Sequence, residues 1–128
     1  MEVLTKQGTD DTPSVTMDKD NGIFLIQGRS LPEDVTAFYG DVLAWIDEYK
    51  NSPNSETVMT FKLEYFNTAS SKVLLDVLLK FEDLDGAQIK WCYREDEEDI
   101  MEAGQEYEDI VSVPFEYKVC DEDWNEKE

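Results

Sequence analysis

The chain has 128 residues, 41% of them hydrophobic, and its 31 acidic against 11 basic residues give a formal net charge of −20. This length accommodates one domain with a single core, and the hydrophobic content is too high for a disordered chain. A surface this negative repels nucleic-acid phosphates and anionic lipid headgroups, so we expect no direct binding to nucleic acid or to a membrane.

The first predicted elements are a β-hairpin and a helix. Residues 1–11 are polar and lack periodicity, which predicts a flexible N-terminal tail. Two extended runs follow it, and the turn signal at residues 20–22 between them predicts a hairpin. Ser30 and Glu33 match the capping box that starts a helix, and apolar residues at helical spacing continue this helix to about Lys50.

Three strands alternate with two helices in the rest of the chain. Strict alternation over residues 57–65 predicts a strand, and residues 69–85 predict a helix that apolar side chains nearly encircle. A strand over residues 87–94, a helix over residues 100–111 and a strand over residues 113–119 follow. The order β-β-α-β-α-β-α-β predicts an α/β fold with one mixed, largely parallel sheet on which the helices pack.

The predicted domain organisation is one folded unit between two polar ends. The unit spans residues 12–120, and residues 121–128 are expected to form an acidic C-terminal tail in which Trp124 either contacts a partner or folds back on the domain. No signal peptide and no apolar stretch of about 18 residues is found, which predicts a cytoplasmic protein. Cys92 and Cys120 lack CxxC spacing and are interpreted as reduced, structural thiols.

The sequence offers little support for catalysis. It contains no histidine, which removes the commonest general base, and it contains neither a P-loop nor a GxGxxG motif. The acidic run over residues 95–99 lacks the spacing and the glycine of an EF-hand loop, so it is interpreted as a solvated first helical turn. We therefore expect no catalytic residue, no metal site and no cofactor.

The most informative segment is the junction of the third strand and the second helix, from Tyr65 to Lys72. N-capping by Asn67 or Thr68 explains its polar residues in purely structural terms. A hydroxyl at such a junction is also a natural phosphate acceptor, because free backbone N–H groups and the positive end of the helix dipole accommodate the anion. The residues alone leave both interpretations open.

Four segments carry a resemblance to a known family. They are Thr12-Pro13, Gly28-Arg29-Ser30 with Pro32-Glu33, Leu63-Glu64-Tyr65-Phe66-Asn67-Thr68 with Ser70-Ser71-Lys72, and Trp91-Cys92-Tyr93. Through them the chain resembles the SiaC family of regulatory phosphoproteins from Thr12 to about Tyr117. The resemblance implies a STAS-like fold, similar to that of anti-sigma-factor antagonists, in which the phosphorylated hydroxyl stands where a strand meets a helix.

The resemblance also implies a function. A dedicated Ser/Thr kinase is expected to phosphorylate Thr68, with Ser70 and Ser71 as alternative acceptors, and a metal-dependent Ser/Thr phosphatase to remove the phosphate. The unmodified protein is expected to bind an effector such as a diguanylate cyclase, raising cyclic di-GMP and promoting biofilm growth. The residues expected to bind partners are Tyr65, Asn67, Thr68, Ser70, Ser71 and Lys72. The protein is thus predicted to be a non-catalytic regulator.

Two other classes of function make different predictions. An acidic interaction module or nucleic-acid mimic would bind a basic partner in a strongly salt-dependent manner, whether or not Thr68 is modified. An enzyme built on paired carboxylates would need a deep pocket lined by several of them. A flat, partly apolar surface around Thr68 would favour the phosphorylation switch over both.

Overall fold

A computed structural model describes residues 1–127 as a six-stranded sheet with three helices. The strands are β1 (Leu4–Lys6), β2 (Ser14–Asp18), β3 (Ile23–Ser30), β4 (Thr57–Phe66), β5 (Ala87–Arg94) and β6 (Phe115–Cys120). The helices are α1 (Val35–Tyr49), α2 (Thr68–Leu79) and α3 (Glu98–Ile110), inserted after β3, β4 and β5. None of these helices is long and apolar enough to cross a membrane.

The strands lie side by side in chain order. β1, β2 and β3 pair antiparallel, whereas β3 to β6 pair in parallel through the three helical crossovers. Crossovers between parallel strands are right-handed, and a strand order that never reverses then places all three helices on one face of the sheet. The mixed, largely parallel α/β sheet predicted from the sequence is confirmed, with β1 added.

Alternation along the strands separates a core face of the sheet from an open face. Phe61 and Leu63 of β4 and Trp91 of β5 are buried in the main core beneath the helices. The alternating β4 residues Thr60 and Lys62 point the other way and are only half-buried. Residues 1–127 therefore form two layers, one of helices and one sheet, and no helix of this part of the chain covers the second face of the sheet.

The N-terminal end differs from the predicted flexible tail of residues 1–11. Leu4–Lys6 form β1, in which Leu4 lies opposite Met17 of β2. The indole N–H of Trp45 also donates to the Glu2 carbonyl oxygen at 2.8 Å. A three-residue edge strand is too short to show a period in the sequence, so its pairing became visible only in the sheet.

The start of the first helix also differs from the prediction. Asp34 is the N-cap of α1, and its carboxylate accepts a hydrogen bond from the Ala37 N–H at 3.0 Å. Ser30, the predicted cap, ends β3 and is fully buried. Its hydroxyl bonds to Tyr39 and Ser70 inside the protein, so it is not available to the helix start.

The second helix is shorter than predicted. It ends at Leu79, and residues 80–86 form turns that lead into β5. Gly86 closes this connection with a φ of +77°, and a Cβ there would lie 2.2 Å from the Ser55 carbonyl oxygen. Only glycine fits this left-handed position against the neighbouring backbone.

The C-terminal end is not a free tail over the residues that the structure describes. Residues 121–127 turn back, so that Cys120 and Glu126 form an antiparallel bridge and the Lys127 N–H donates to the Val119 carbonyl oxygen at 2.8 Å. Trp124 is only 7% exposed. Of the two alternatives for this tryptophan, the structure shows the one in which it folds back on the domain.

Candidate functional site

Thr68 lies where β3 and β4 end together at one edge of the sheet. Ser30, the last residue of β3, is paired with Phe66, the last residue of β4. The Asn67 N–H then donates to the Ser30 carbonyl oxygen at 3.1 Å, which ties the loop after β4 to the end of β3. The carboxyl ends of parallel strands are the usual place for functional sites in open α/β sheets.

Asn67 caps the second helix. It has an extended backbone, with φ −85° and ψ 176°, and its side-chain oxygen accepts the Ser70 N–H at 2.9 Å. Its carbonyl oxygen accepts the Ser71 N–H at 2.9 Å. Because Asn67 supplies the cap, the Thr68 hydroxyl is left outside the capping bonds on the first residue of the helix.

The segment from Tyr65 to Lys72 is mostly accessible. Thr68 and Lys72 are exposed, Asn67 and Ser71 are half-buried, and the Tyr65 side chain is 47% exposed. The Ser71 hydroxyl donates to the Thr68 carbonyl oxygen at 2.7 Å. The sequence-predicted residues are therefore brought together on one surface, with a single exception.

The exception is Ser70, which has no exposed surface. Its hydroxyl accepts a hydrogen bond from the Ser30 hydroxyl and donates to the Ser30 carbonyl oxygen, each at 2.9 Å. In the folded protein this oxygen lies out of reach of a kinase or of a docking partner. Its position agrees with neither role expected for Ser70, as an alternative acceptor or as a partner-binding residue.

A buried chain of hydroxyls supports the first turn of α2. The Tyr39 hydroxyl lies 2.6 Å from the Ser30 hydroxyl, and because Ser30 donates its own proton to Ser70, Tyr39 is the donor in this pair. Burial raises the pKa of Tyr39 to about 12. Tyr39 therefore keeps its proton at neutral pH and links α1 to β3 and α2.

The third helix also holds this turn. The Tyr107 hydroxyl donates to the Ser71 carbonyl oxygen at 2.7 Å, and burial raises the pKa of Tyr107 so that this donor keeps its proton. The first turn of α2 is thus fixed directly by β3 and α3, and indirectly by α1, which bonds to Ser30. Sequence reasoning missed Tyr39 and Tyr107, which lie on apolar helix stripes and look like ordinary core residues.

The surface next to Thr68 combines aromatic and charged groups. The Arg29 guanidinium lies 5.7 Å from the centre of the Tyr65 ring. It also forms an ion pair with the Glu64 carboxylate at 4.0 Å. Lys72 follows Thr68 by one helical turn and so lies on the same face of α2. The exposed part of residues 65–72 thus carries an aromatic ring and a lysine as well as the Thr68 hydroxyl.

A cleft lined by charged residues lies away from Thr68. It measures about 610 Å³ and is lined by Arg94, several acidic residues and Lys127. Lys127 lowers the pKa of Glu95, and backbone N–H groups lower that of Asp121, so both carboxyls are ionised at neutral pH. Neither is poised as a general acid, and no group of metal-binding side chains comes together within residues 1–127.

Comparison with known proteins supports a family assignment. The model of the SiaC family regulatory phosphoproteins matches residues 6–120. An uncharacterised protein of Pseudomonas aeruginosa strain UCBPP-PA14 is 28% identical over 126 residues, which is 95% of this chain and 100% of the relative.

Two solved structures show the same fold. Apo-SiaC from Pseudomonas aeruginosa has a TM-score of 0.81 at 26% identity and covers 91% of this chain and 98% of its own. SiaC bound to the diguanylate cyclase SiaD, whose activator it is, has a TM-score of 0.83 at 27% identity, with 89% and 97% covered. Because the family model matches residues 6–120 and the sheet topology agrees with it, the chain belongs to the SiaC family of regulatory phosphoproteins.

Proposed function

We propose that this protein is a non-catalytic switch that binds and activates a diguanylate cyclase through the surface around unmodified Thr68, and that phosphorylation of Thr68 abolishes the binding. The related SiaC forms a complex with such a cyclase. The observation that carries the proposal is the exposed Thr68 hydroxyl on a helix turn that Asn67 caps and that three other elements hold in place.

The start of α2 is suited to an added phosphate. The first turn of this helix contains no acidic residue, although the chain has 31 of them. By contrast, the first turn of α3 carries Glu98 and Asp99. The positive end of the α2 dipole is therefore not offset by a local carboxylate, and an anion there is stabilised by about 0.3–1 kcal/mol. Phosphorylated Thr68 would leave the fold intact.

Burial of the same phosphate against a partner would be unfavourable. A phosphothreonine carries about −1.5 to −2 charges and a large hydration shell, which a partner without a matching arginine cannot replace. A penalty of about 3 kcal/mol lowers affinity more than a hundredfold. Thr68 is favoured over Ser70 because the Ser70 hydroxyl is buried. A Ser/Thr kinase and a metal-dependent phosphatase would set the ratio of the two forms.

The switch is tested with Thr68→Ala and Thr68→Asp in the full chain. Binding to the purified diguanylate cyclase of the same organism is measured by calorimetry, and cyclic di-GMP formation from GTP gives a second readout. Thr68→Ala should bind as the wild type does, whereas Thr68→Asp should bind roughly a hundredfold more weakly. Thr36→Asp is a matched control, because it adds the same charge at an exposed threonine near the start of α1.

Two results would contradict the switch. Equal affinity of the two Thr68 variants would remove the role of this residue. An equal loss from Thr36→Asp would point to general charge repulsion instead. Repeating the titration at low and high salt tests the acidic-module alternative, which predicts a steep salt dependence in both Thr68 variants alike.

A further inference from the structure

The open face of the sheet collects positive charge in an otherwise acidic protein. The basic residues on this face are Lys62 of β4, Lys90 and Arg94 of β5, and Lys118 of β6, because their neighbours along each strand face the main core. The same strands carry two acidic residues on this face, Glu64 and Glu116, which form ion pairs with Arg94 and Lys118, so the basic residues outnumber the acidic ones. The whole chain has only 11 basic residues against 31 acidic ones. An acidic partner segment would therefore be attracted to this face and repelled from most of the remaining surface.

Residues 121–127, called the strap below, already lie on this face. The Lys62 ammonium donates to the Trp124 carbonyl oxygen at 3.1 Å, and the Lys90 ammonium forms an ion pair with Glu126. This pair lowers the pKa of Glu126 and raises that of Lys90. The acidic strap thus neutralises part of the positive face.

Trp124 fills an aromatic socket in the middle of the face. Its ring packs on Cys92 and Cys120, which are both fully buried and form a small cluster separate from the main core. The Arg94 guanidinium covers the ring at 4.3 Å from its centre, and Arg94 also donates to the Glu122 carbonyl oxygen at 2.9 Å. A cation and two soft sulfur groups make a socket suited to an aromatic side chain.

The strap does not fill the whole face. A groove of about 390 Å³ continues from Trp124 along β3 and β4. Ile23 and Val58 in this groove are 43% and 40% exposed, which is unusual for branched apolar residues in a sheet. An occupant longer than the strap would also bury these two side chains.

The strap is held by its contacts against an unfavourable backbone. Trp124 has a φ of +66°, a left-handed conformation that costs a non-glycine residue conformational energy. The turn is closed locally by Asp121, whose carboxylate accepts the N–H groups of Asp123 and Asn125. Release of the strap would relieve this backbone conformation, so a competing segment can displace it.

We propose that the open face of the sheet is a second interaction surface, which takes an acidic segment with an aromatic side chain from a partner protein, and that the strap occupies it in cis. The strap is tethered to Cys120, so its effective concentration at the face is in the millimolar range. A partner segment at a lower concentration displaces the strap only if its affinity for the face is correspondingly higher than that of the strap. The surface is separate from the one around Thr68, and the inference does not depend on phosphorylation.

The test uses the full chain with Trp124→Ala, which empties the socket. The probe is a synthetic peptide of residues 121–127, and amide chemical shifts of the ¹⁵N-labelled protein report where it binds. Addition of about 1 mM peptide should shift the amide signals of Cys92, Arg94 and Cys120 in this variant. The fraction of sockets that the peptide occupies should be roughly tenfold higher than in the wild type. A control peptide with alanine in place of tryptophan should cause no such shifts.

Three results would overturn the inference. The first is no shift at these amides, and the second is an equal shift in the wild type and in the variant. The third is a wild-type dimer in light scattering that dissociates in Trp124→Ala, because a second copy of the chain would then be the occupant. If Trp124→Ala does not fold, Glu126→Lys replaces it, because this exposed residue would be repelled by Lys90 and the strap released. Neither variant alters Thr68, so the outcome is independent of the phosphorylation proposal.

Discussion

The hydroxyl chain beneath Thr68 makes a quantitative prediction. Ser30→Ala should destabilise the protein more than Tyr39→Phe, although each removes one partner of the same 2.6 Å hydrogen bond. Ser30→Ala leaves the Tyr39 O–H, which has no exposed surface, without its acceptor. An unpaired buried hydroxyl costs about 1–3 kcal/mol beyond the lost bond. In Tyr39→Phe, Ser30 still donates to Ser70, so the cost is about 0.5–1.5 kcal/mol.

The double variant distinguishes this reasoning from a simple loss of contacts. Tyr39→Phe removes the hydroxyl that Ser30→Ala leaves unpaired, so the double variant should cost less than Ser30→Ala alone, by about the 1–3 kcal/mol that the unpaired hydroxyl costs. The two single changes in the free energy of unfolding should therefore sum to at least about 1.5 kcal/mol more than the change in the double variant, as expected for residues in one buried network.

Urea unfolding followed by circular dichroism measures the four free energies of unfolding by linear extrapolation. Ser112→Ala removes a serine hydroxyl at the surface and is the control, expected to change stability by less than about 0.5 kcal/mol. The reasoning is refuted if Tyr39→Phe costs as much as Ser30→Ala, or if the two changes add within about 0.3 kcal/mol.

Two further predictions concern β5. At pH 8 Cys92 should react with iodoacetamide about a thousandfold more slowly than an exposed cysteine, because burial raises the pKa of Cys92 to about 12 and leaves little thiolate. Mass spectrometry measures the reaction rate, and a rate near that of free cysteine would contradict this prediction. Gly104→Ala should lower the free energy of unfolding by about 1–3 kcal/mol, because its Cβ would lie 2.6 Å from the Trp91 indole. Gly40→Ala, in open space on α1, should instead raise it by about 0.5–1 kcal/mol, and destabilisation by both would refute the packing argument.

The main elements of the fold were predictable because their signals are local. Alternation over residues 57–65 reports which side of β4 is buried, and the polar junction at Asn67 and Thr68 marks the start of α2. The serine at position 30 shows the limit of such reasoning. Its capping-box pattern is a local signal, but the hydroxyl bonds to Ser70, forty residues further along the chain. The predicted cap was wrong because the hydrogen bond from Ser30 to Ser70, which a local pattern does not show, outweighs the capping preference of Ser30.

By itself, the sequence determined the order of strands and helices from β2 onward, the largely parallel sheet and the position of Thr68 at the start of a helix. Periods of two and of 3.6 residues and capping preferences act between near neighbours, so a single sequence displays them. Only the tertiary structure decided that Ser70 of this helix is buried while Thr68 is exposed. The same holds for Trp124, which lies on the open face of the sheet and whose carbonyl oxygen accepts a hydrogen bond from Lys62, 62 positions earlier. Contacts of this kind depend on how separate elements pack, and burial is a property of that packing rather than of any short stretch of chain.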